Sequence, residues 1–338
     1  MNLLIDENNS KTIYTEDNPV PGNHKIVSKS FADVDGFKEF FEYQGKEIIQ
    51  LSSGSFQGEF LSIQIGNLYF LCNQANQGIK VSGDGSKGYI IFSILWSEKE
   101  KEYYSLRHPV EPQRTLFGFN NREADLIFHQ GGTLTNILIP VQTFETYAEQ
   151  LQRYDLDDNF LSKNQVNLLP TGMEEIKDYL KQLLWLAVHK STFLQQPHLE
   201  QLVTDDFLPL LISQIPIKWN SQVSLKPSRR AKLIAKAEQR MLANLEEPLT
   251  LKQLAQDLES SSSALSYGFQ DLFGLSPMRY LKVRRLNAVR NHLKANVPES
   301  CHILAIANRF GFYNTGHFAR DYKVMFGELP SETLQSRC

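Results

Sequence analysis

The chain between about residues 24 and 140 is patterned as a series of short strands. Apolar runs, several of which alternate with polar residues, occur at 47–51, 60–65, 68–72, 89–95 and 133–139. Segments rich in glycine and asparagine lie between some of these runs, as turns do in antiparallel sheets. Many short strands at this spacing predict an antiparallel barrel or a jelly roll. The preceding residues 1–20 are polar and irregular, which predicts a flexible arm.

The hydrophobic period changes to that of helices near Gln142. Residues 142–153 are predicted to form one helix, and 174–188 a second one with a broad apolar side. A third apolar segment, 199–215, contains Pro209, which we expect to kink or break the helix. The two long apolar helices are consistent with a seam between two copies of the chain, or with a layer packed on the strands.

A change in composition follows at 216–228, where two prolines occur among polar residues. This segment is predicted to be a linker, and everything after it to be helical. From Gln222 onward there are 17 Lys and Arg against 10 Asp and Glu, a net charge of +7, while the whole chain carries −3, which leaves −10 for the first part. A basic half indicates a polyanionic partner such as nucleic acid, unless ordinary surface charge is simply shared unevenly.

The helical half contains an internal repeat. Matching residues in the two copies are offset by 52 positions early in the unit and by 53 later, because the second copy has one extra residue in its turn, where Gly311 lies. The matching pairs are Ala255 and Ala307, Leu258 and Phe310, Leu265 and Phe318, Phe269 and Tyr322, Phe273 and Phe326, Gly274 and Gly327, and Pro277 and Pro330.

Each copy is predicted to fold as a helix, a short turn and a second helix. The predicted helix pairs are 251–258 with 262–273, and 303–310 with 315–326. Thr250 is placed to cap the start of the first copy, and Gly274 to end it. A three- or four-residue turn between short helices is the geometry of a helix-turn-helix DNA reader, although purely structural bundles also contain it. In a reader, the second helix enters the major groove.

The segment that joins the two copies is predicted to be a helix from about Ser276 to Leu293. It combines an apolar stripe with five basic residues, which are Arg279, Lys282, Arg284, Arg285 and Arg290. About 17 helical residues span roughly 25 Å. Such a rod can hold two reading helices near the ~34 Å repeat of B-DNA, so that both enter successive major grooves. The expected site is about two helical turns long.

The rest of the composition narrows the class of protein. No run approaches the ~20 apolar residues of a membrane helix, and the start of the chain lacks a signal-peptide pattern. The three cysteines, Cys72, Cys301 and Cys338, are scattered, which indicates neither a disulfide framework nor a zinc knuckle. These features predict a cytoplasmic protein without a cofactor.

An enzyme built on the strand-rich part, with the helical half as an accessory domain, is the alternative function. Its metal ligands would have to come from scattered histidines without the spacing of a metal site. These histidines are His24, His108, His129, His189 and His198. The acidic pairs at 157–158 and 205–206 are interpreted as helix starts or solvated faces, and neither a GxSxG nor a P-loop motif occurs. We therefore predict no metal, no catalytic residue and no enzyme activity.

At this point the chain resembles the AraC/XylS-type transcription regulators over about residues 228–336. The most specific stretch is GFYNTGHFARDYKVMFGELPSETL at 311–334, and GLSPMRYL at 274–281 followed by Arg285 and Leu286 adds to it. The resemblance implies an N-terminal cupin-like domain that binds a small effector or mediates dimerisation. Some relatives use a reactive cysteine for alkyl repair, but Cys72 lies in an apolar strand and is expected to be a buried structural thiol.

The resemblance also implies which residues contact DNA. The expected set is Ser262, Ser263, Ser266, Tyr267, Arg285, Asn314, Thr315, His317 and Arg320. Arg320 is the strongest expectation because its fork can bind a phosphate or guanine with two hydrogen bonds, and a salt bridge within the domain is the alternative. The first reading helix departs from the family, which commonly places basic residues where this chain has serines and Tyr267. That unit is expected to read DNA weakly or to read an unusual sequence.

Together these observations predict an α+β chain with an antiparallel β-rich cupin-like domain, flanking helices and an all-α domain with two helix-turn-helix units. The expected divisions are the arm at 1–20, a sensing domain at 21–141, helices at 142–215, the linker at 216–228 and a DNA-binding domain at 229–336. The expected function is a sequence-specific transcription regulator of the activator kind. Its expected partners are double-stranded DNA, a small-molecule effector, a second copy of the chain and RNA polymerase, with no membrane.

Overall fold

A computed structural model of the chain describes residues 26–42, 45–85, 87–97, 103–119, 123–128, 132–194, 196–217, 229–295 and 303–335. The predicted arm and most of the predicted linker lie outside these residues. The strands are β1 Ile26–Phe31, β2 Lys46–Gln50, β3 Gly58–Ile65, β4 Leu68–Ala75, β5 Ile79–Asp84, β6 Tyr89–Trp96, β7 Tyr103–Ser105, β8 His108–Val110, β9 Thr115–Phe119, β10 Glu123–Phe128, β11 Gly132–Pro140 and β12 Gln165–Asn167.

The helices of the described residues follow and interleave with these strands. They are α1 Val34–Glu42, α2 Val141–Gln150, α3 Asp158–Leu161, α4 Pro170–His189, α5 Ser191–Leu194, α6 Pro197–Gln214, α7 Arg229–Ala243, α8 Leu251–Asp257, α9 Ser262–Phe273, α10 Pro277–Lys294, α11 Ile303–Arg309, α12 Thr315–Phe326 and α13 Pro330–Gln335.

The strands form two antiparallel sheets, as the alternating pattern predicts. The seven-stranded sheet has the order β1-β3-β4-β11-β6-β9-β12, and the five-stranded sheet has the order β2-β5-β10-β7-β8. The long central ladder pairs β4 with β11 and β11 with β6, for example Asn136 opposite both Leu71 and Ser93. Side chains alternate between the two faces of a strand. One face of each sheet is directed toward the other sheet, and the opposite face is directed toward helices.

Helices α4 and α6 pack on the outer face of the seven-stranded sheet. Leu180 of α4 and Phe207 of α6 are fully buried in one cluster with Phe70 and Phe92 of the sheet. The rings of Phe70 and Phe207 lie 5.3 Å apart in an edge-to-face contact. Of the two interpretations of these helices, packing on the strands is therefore observed, and the seam between copies stays a prediction.

Of the two outcomes expected at Pro209, a break does not occur, because α6 continues through this residue, and a kink stays a prediction. A proline inside a helix costs about 3 kcal/mol, mainly through one lost hydrogen bond and a clash with the preceding turn. Leu208, Leu211 and Ile212 around it are completely buried. Burial of three such side chains, at roughly 1.5–3 kcal/mol each, outweighs that cost. No helix in the described ranges has the length and apolar character needed to cross a membrane.

The helices after α6 form a separate layer on the outer side of the five-stranded sheet. Helix α10 contacts α9 of the pair α8–α9 and both helices of the pair α11–α12. We call α8–α9 the first helix pair and α11–α12 the second helix pair. Helix α10 also contacts β2, so the helical layer and the sheet share one continuous core.

Local capping explains where the helices of the first pair begin and where α9 ends. Helices α8 and α11 each end one residue before the predicted bound. Thr250 and Gln253 form a reciprocal capping box at the start of α8. Ser261 accepts a hydrogen bond from the Ala264 N–H at 3.1 Å and starts α9. Gly274 follows α9 with φ 64°, a left-handed conformation that glycine adopts at little cost. The predicted bounds of α9 and α12 are therefore confirmed.

Candidate nucleic-acid interface

The second helix pair presents an exposed face on α12. Thr315, His317 and Arg320 are exposed, while Phe318 and Tyr322 on the opposite side are buried. The alternation follows the helical period, because residues three or four apart share a face. No ion pair among the described residues involves Arg320, so the alternative of a salt bridge within the domain finds no support there.

Asn314 has a local structural task beside its expected contact with DNA. Its Oδ1 accepts a hydrogen bond from the His317 N–H at 3.1 Å, which makes it the N-cap of α12. A cap satisfies one of the unpaired N–H groups at the start of a helix. Asn314 remains exposed, so capping leaves its amide N–H groups on the same surface as Thr315.

The first helix pair presents a second exposed face, on α9. Ser262 and Ser263 are exposed, Ser266 is partly buried, and Tyr267 is 60% exposed. Gln270, one turn after Ser266, is also exposed. Gln270 was not among the predicted DNA contacts, although its spacing of four residues from Ser266 places it on the same helical face.

Arg285 is held within the helical layer. Its Nε donates to the carbonyl oxygen of Leu245 at 2.8 Å, and a second nitrogen donates to that of Glu247 at 2.6 Å. Burial lowers the pKa of its guanidinium from the ordinary value. Arg285 therefore ties the loop between α7 and α8 to α10, and this structural task competes with the contact to DNA that the resemblance implies.

Two of the five basic residues of α10 are buried and do not contribute to a basic surface. Arg284 and Arg290 are only 8% and 2% exposed. Arg284 forms an ion pair with Glu47 of β2 at 3.3 Å, and Arg290 with Asp35 of α1 at 2.8 Å. Burying a charge is costly unless the charge is paired. Arg284 and Arg290 are therefore engaged by β2 and α1 and are not available to a polyanion.

A buried carboxylate connects the helical layer to the five-stranded sheet. Glu238 of α7 is 3% exposed and accepts hydrogen bonds from Lys80 of β5, from Arg107 at 2.8 Å and from the Tyr280 hydroxyl of α10. Burial alone would raise its pKa, but Lys80, Tyr280 and Arg107 together lower the pKa of Glu238 to about 2. The carboxylate is therefore ionised and fully partnered at neutral pH.

A cavity of about 430 Å³ lies between the two sheets. Its lining is mainly apolar and aromatic, and Asn73, Ser93 and Asn136 contribute polar groups. Ser93 donates to Asn136 Oδ1 at 2.8 Å. A concave, mostly apolar space of this size with a few polar groups is typical of a small-molecule site.

The five-stranded sheet and helix α1 lie between this cavity and the helical layer. Ile79 and Val81 of β5 line the cavity, while Lys80 between them points to Glu238. The same alternation occurs on β10, where Ala124 and Leu126 line the cavity and Asp125 between them pairs with Arg107 at 3.2 Å. Such alternation follows from the two-residue period of a strand. A shift of β5 at the cavity would therefore move Lys80, which donates a hydrogen bond to Glu238.

The same sheet also contacts the last turn of α12. The Met325 carbonyl oxygen accepts hydrogen bonds from Gln50 Nε2 at 2.9 Å and from the Gly54 N–H at 3.1 Å. Gln50 ends β2, whose Ile48 lines the cavity. The C-terminal end of α12 is thus attached to the strand layer.

The cysteine, aspartate and histidine side chains considered for an enzyme function have structural roles. Cys72 is fully buried, and burial raises the pKa of its thiol to about 11. Asp157 caps α3 by accepting hydrogen bonds from two backbone N–H groups, which confirms it as a helix start. His189 stacks on Trp185 at 4.8 Å. His24 and His129 lie outside the described residues, and within the described ranges no three side chains of the metal-binding types come together.

Comparisons with known proteins identify the helical layer. A family model described as "Helix-turn-helix domain" matches residues 254–336. The chain is 40% identical over 94 residues to the probable thc operon regulatory protein of Rhodococcus erythropolis, which is 28% of each chain. It is 34% identical over 94 residues to the XylDLEGF operon transcriptional activator 3 of Pseudomonas putida, again 28% of each chain. The match therefore spans less than a third of the length of these curated relatives.

A solved structure is also similar to part of the chain. It is a probable AraC family transcriptional regulator from Rhodopseudomonas palustris, 39% identical, with 31% of this chain covering 97% of that one at a TM-score of 0.30.

Proposed function

We propose that the chain is a sequence-specific DNA-binding transcription regulator of the AraC/XylS type, because a helix-turn-helix family model matches residues 254–336 and the chain is similar to two operon regulators over 94 residues. The observation that carries the proposal is the pair of exposed second helices, α9 and α12, fixed on one rod, α10. The two helix pairs act as helix-turn-helix units. The 18 residues of α10 correspond to about 27 Å of helix, which suits two successive major grooves.

The proposed DNA contacts are exposed or partly buried residues near the N-terminal ends of the two reading helices. They are Ser262, Ser263, Ser266 and Tyr267 in the first unit and Asn314, Thr315, His317 and Arg320 in the second. Arg320 is proposed as a phosphate or guanine contact because its guanidinium donates in a planar fork. Arg285 is left out of this set because two backbone carbonyls already accept from it.

The strand-rich part is proposed to be a cupin-like sensing domain. Its small-molecule effector would occupy the cavity between the sheets and displace β5 and β10 slightly outward. Lys80 and Asp125 on the other face of these strands would then change their contacts with Glu238 and Arg107. We propose that this layer changes the position of the reading helices, which would make DNA binding depend on the effector.

A second copy of the chain and RNA polymerase are the proposed protein partners, as for a cytoplasmic activator. Trp185 of α4 and Leu202 of α6 are 51% and 52% exposed. Exposed large apolar side chains on neighbouring helices suit an interface between two copies. Sedimentation at micromolar concentration should return a dimer, and a monomer would contradict this part. The enzyme alternative gains no support from the described residues or from the relatives.

The test of the proposed function is enrichment of sheared genomic DNA by the purified full chain, followed by sequencing. A shared motif of about two helical turns is expected, and Arg320→Ala should weaken its enrichment. Arg114→Ala is the matched control, because Arg114 is exposed on the sheet part and its loss removes the same charge. A small-molecule extract of the source cells, added in a second arm, distinguishes a missing effector from a missing activity. No enrichment in either arm would overturn the proposal.

A further inference from the structure

The first reading helix carries no basic residue, although DNA is a dense line of negative charge. Residues 262–273 read SSALSYGFQDLF, in which Asp271 is the one charged residue. Most protein–DNA hydrogen bonds go to the phosphate and sugar backbone, and the cations that make them supply much of the affinity. Either α9 binds DNA without a cation, or a neighbouring element supplies one.

A cation from α7 lies directly on the exposed face of α9. The guanidinium carbon of Arg230 is 4.4 Å from the centroid of the Tyr267 ring. One of its terminal nitrogens donates to Asp271 Oδ2 at 3.1 Å. The side chains of Arg230 and Asp271 are 51% and 32% exposed, so this arrangement is at the surface. Arg230 is therefore held at the side of the helix by a ring below it and a carboxylate beside it.

A glycine in α9 permits this approach of α7. A Cβ atom at Gly268 would lie 2.5 Å from Ile234 Cδ1 and 3.4 Å from Arg230 Cγ. The first distance is shorter than any van der Waals contact, so a larger residue would push α7 away from α9. The absence of a side chain at Gly268 thus lets the first turn of α7, which carries Arg230, pack against Tyr267.

We propose that Arg230 is the phosphate-binding cation of the first reading helix, and that Tyr267 is the platform that positions its guanidinium. The inference rests on the proposed function, in which α9 enters a major groove. A guanidinium has five N–H donors, so it can donate to a phosphate while Tyr267 remains beneath it. Asp271 neutralises Arg230 in the free protein, and a phosphate competes with that carboxylate when DNA binds.

The proposal makes Arg230 and Asp271 act in opposite directions. The probe is a duplex that contains the enriched motif, titrated with the full chain over a series of salt concentrations. Arg230→Gln should weaken binding roughly tenfold at low salt and reduce the slope of log K against log salt by about one. The loss should be similar for a duplex without the motif. Asp271→Asn should strengthen binding, because it removes a negative charge that competes with phosphate.

Arg240→Gln is the matched control on the same helix. Arg240 pairs with Asp257 at 2.9 Å and is 38% exposed, so its substitution removes the same charge from the same kind of ion pair. It lies ten residues further along α7, about 15 Å away, and should leave the slope unchanged. Tyr267→Phe keeps the ring beneath the guanidinium and should retain more of the slope than Tyr267→Leu, which removes the ring.

The outcomes separate this inference from the proposed function. If the wild type enriches a motif and Arg320→Ala weakens it, the proposed function stands whatever Arg230 does. Equal behaviour of the Arg230 and Arg240 variants would then overturn the role of Arg230 alone. Weakening by both Arg230→Gln and Asp271→Asn would also overturn it, since that result identifies the ion pair as a structural contact. Thermal melting of each variant checks that the fold is retained.

Discussion

Arg290 and Asp35 form a buried ion pair between the centre of the helical layer and the first helix of the sheet part. The Arg290 Nε and one terminal nitrogen lie 2.9 and 2.8 Å from Asp35 Oδ2. Glu328 accepts from the other terminal nitrogen at 2.8 Å, and the Phe326 ring lies 4.7 Å from the guanidinium carbon. The same residue therefore contacts α1, α12 and the segment before α13. We infer that the two parts of the chain unfold cooperatively.

Arg290→Met should test this pair. The substitution removes the cation and leaves Asp35 buried. The Lys294 Nζ lies 3.8 Å from Asp35 Oδ2. Removing one partner of a buried ion pair typically costs about 3–5 kcal/mol. We expect a loss of that size in the free energy of unfolding measured with urea. Asp178→Asn, which breaks the exposed pair with Lys181, should cost less than about 1 kcal/mol. Equal losses in both variants would contradict the structural role of Arg290.

The stability of the chain should depend on the ionisation of Glu238. Its pKa is lowered from 4.5 to about 2 in the folded protein. A carboxyl group with a lowered pKa stabilises the fold above its unfolded value, and this contribution is lost as the pH falls from about 4.5 toward 2. The contribution is on the order of 3 kcal/mol at neutral pH.

Urea unfolding of the wild type and Glu238→Gln at a series of pH values measures this contribution. The variant should be less stable at pH 7, and the gap should close as the pH falls through this window, because protonated Glu238 resembles glutamine. Asp178→Asn serves as the comparison and should run parallel to the wild type. A constant gap between the wild type and Glu238→Gln would show that its ionisation contributes nothing.

The bounds of the reading helices could be predicted from the sequence because local residues determine them. Ser261 caps α9 within three residues, and Gly274 ends it directly. The alternation of strands was equally local, since the two-residue period depends on neighbouring positions. Propensity and pattern are therefore sufficient where the partners lie within one or two turns.

The roles of the arginines in α10 could not be predicted, because their partners are distant in the chain. Arg290 and Asp35 are 255 positions apart, and Arg284 and Glu47 are 237 apart. A run of basic residues looks the same in a sequence whether it faces solvent or a buried carboxylate. For the same reason the contact of Arg230 with α9 was not predicted, although both lie in the helical half.

Cys72 should resist alkylation while the chain is folded. It is fully buried, and burial raises the pKa of its thiol from 9.0 to about 11. Only the thiolate is nucleophilic, so a shift of this size lowers the reactive fraction roughly a hundredfold at neutral pH. In a Cys301→Ser, Cys338→Ser background, iodoacetamide should label the native protein far more slowly than the urea-unfolded protein. Comparable rates would argue for an accessible, reactive thiol and revive the alternative of a cysteine-based activity.

Filling the cavity should abolish the response to an effector without abolishing DNA binding. Ile91 of β6 lines the cavity from the seven-stranded sheet, the side away from the helical layer. Ile91→Trp places an indole in the space that the effector would occupy and leaves Lys80 and its contact with Glu238 in place. Enrichment of the DNA motif should then be the same with and without small-molecule extract. Ile91→Leu conserves the side-chain volume and should keep the wild-type response. An extract response that survives Ile91→Trp would place the effector outside the cavity and remove the role proposed for β5 and β10.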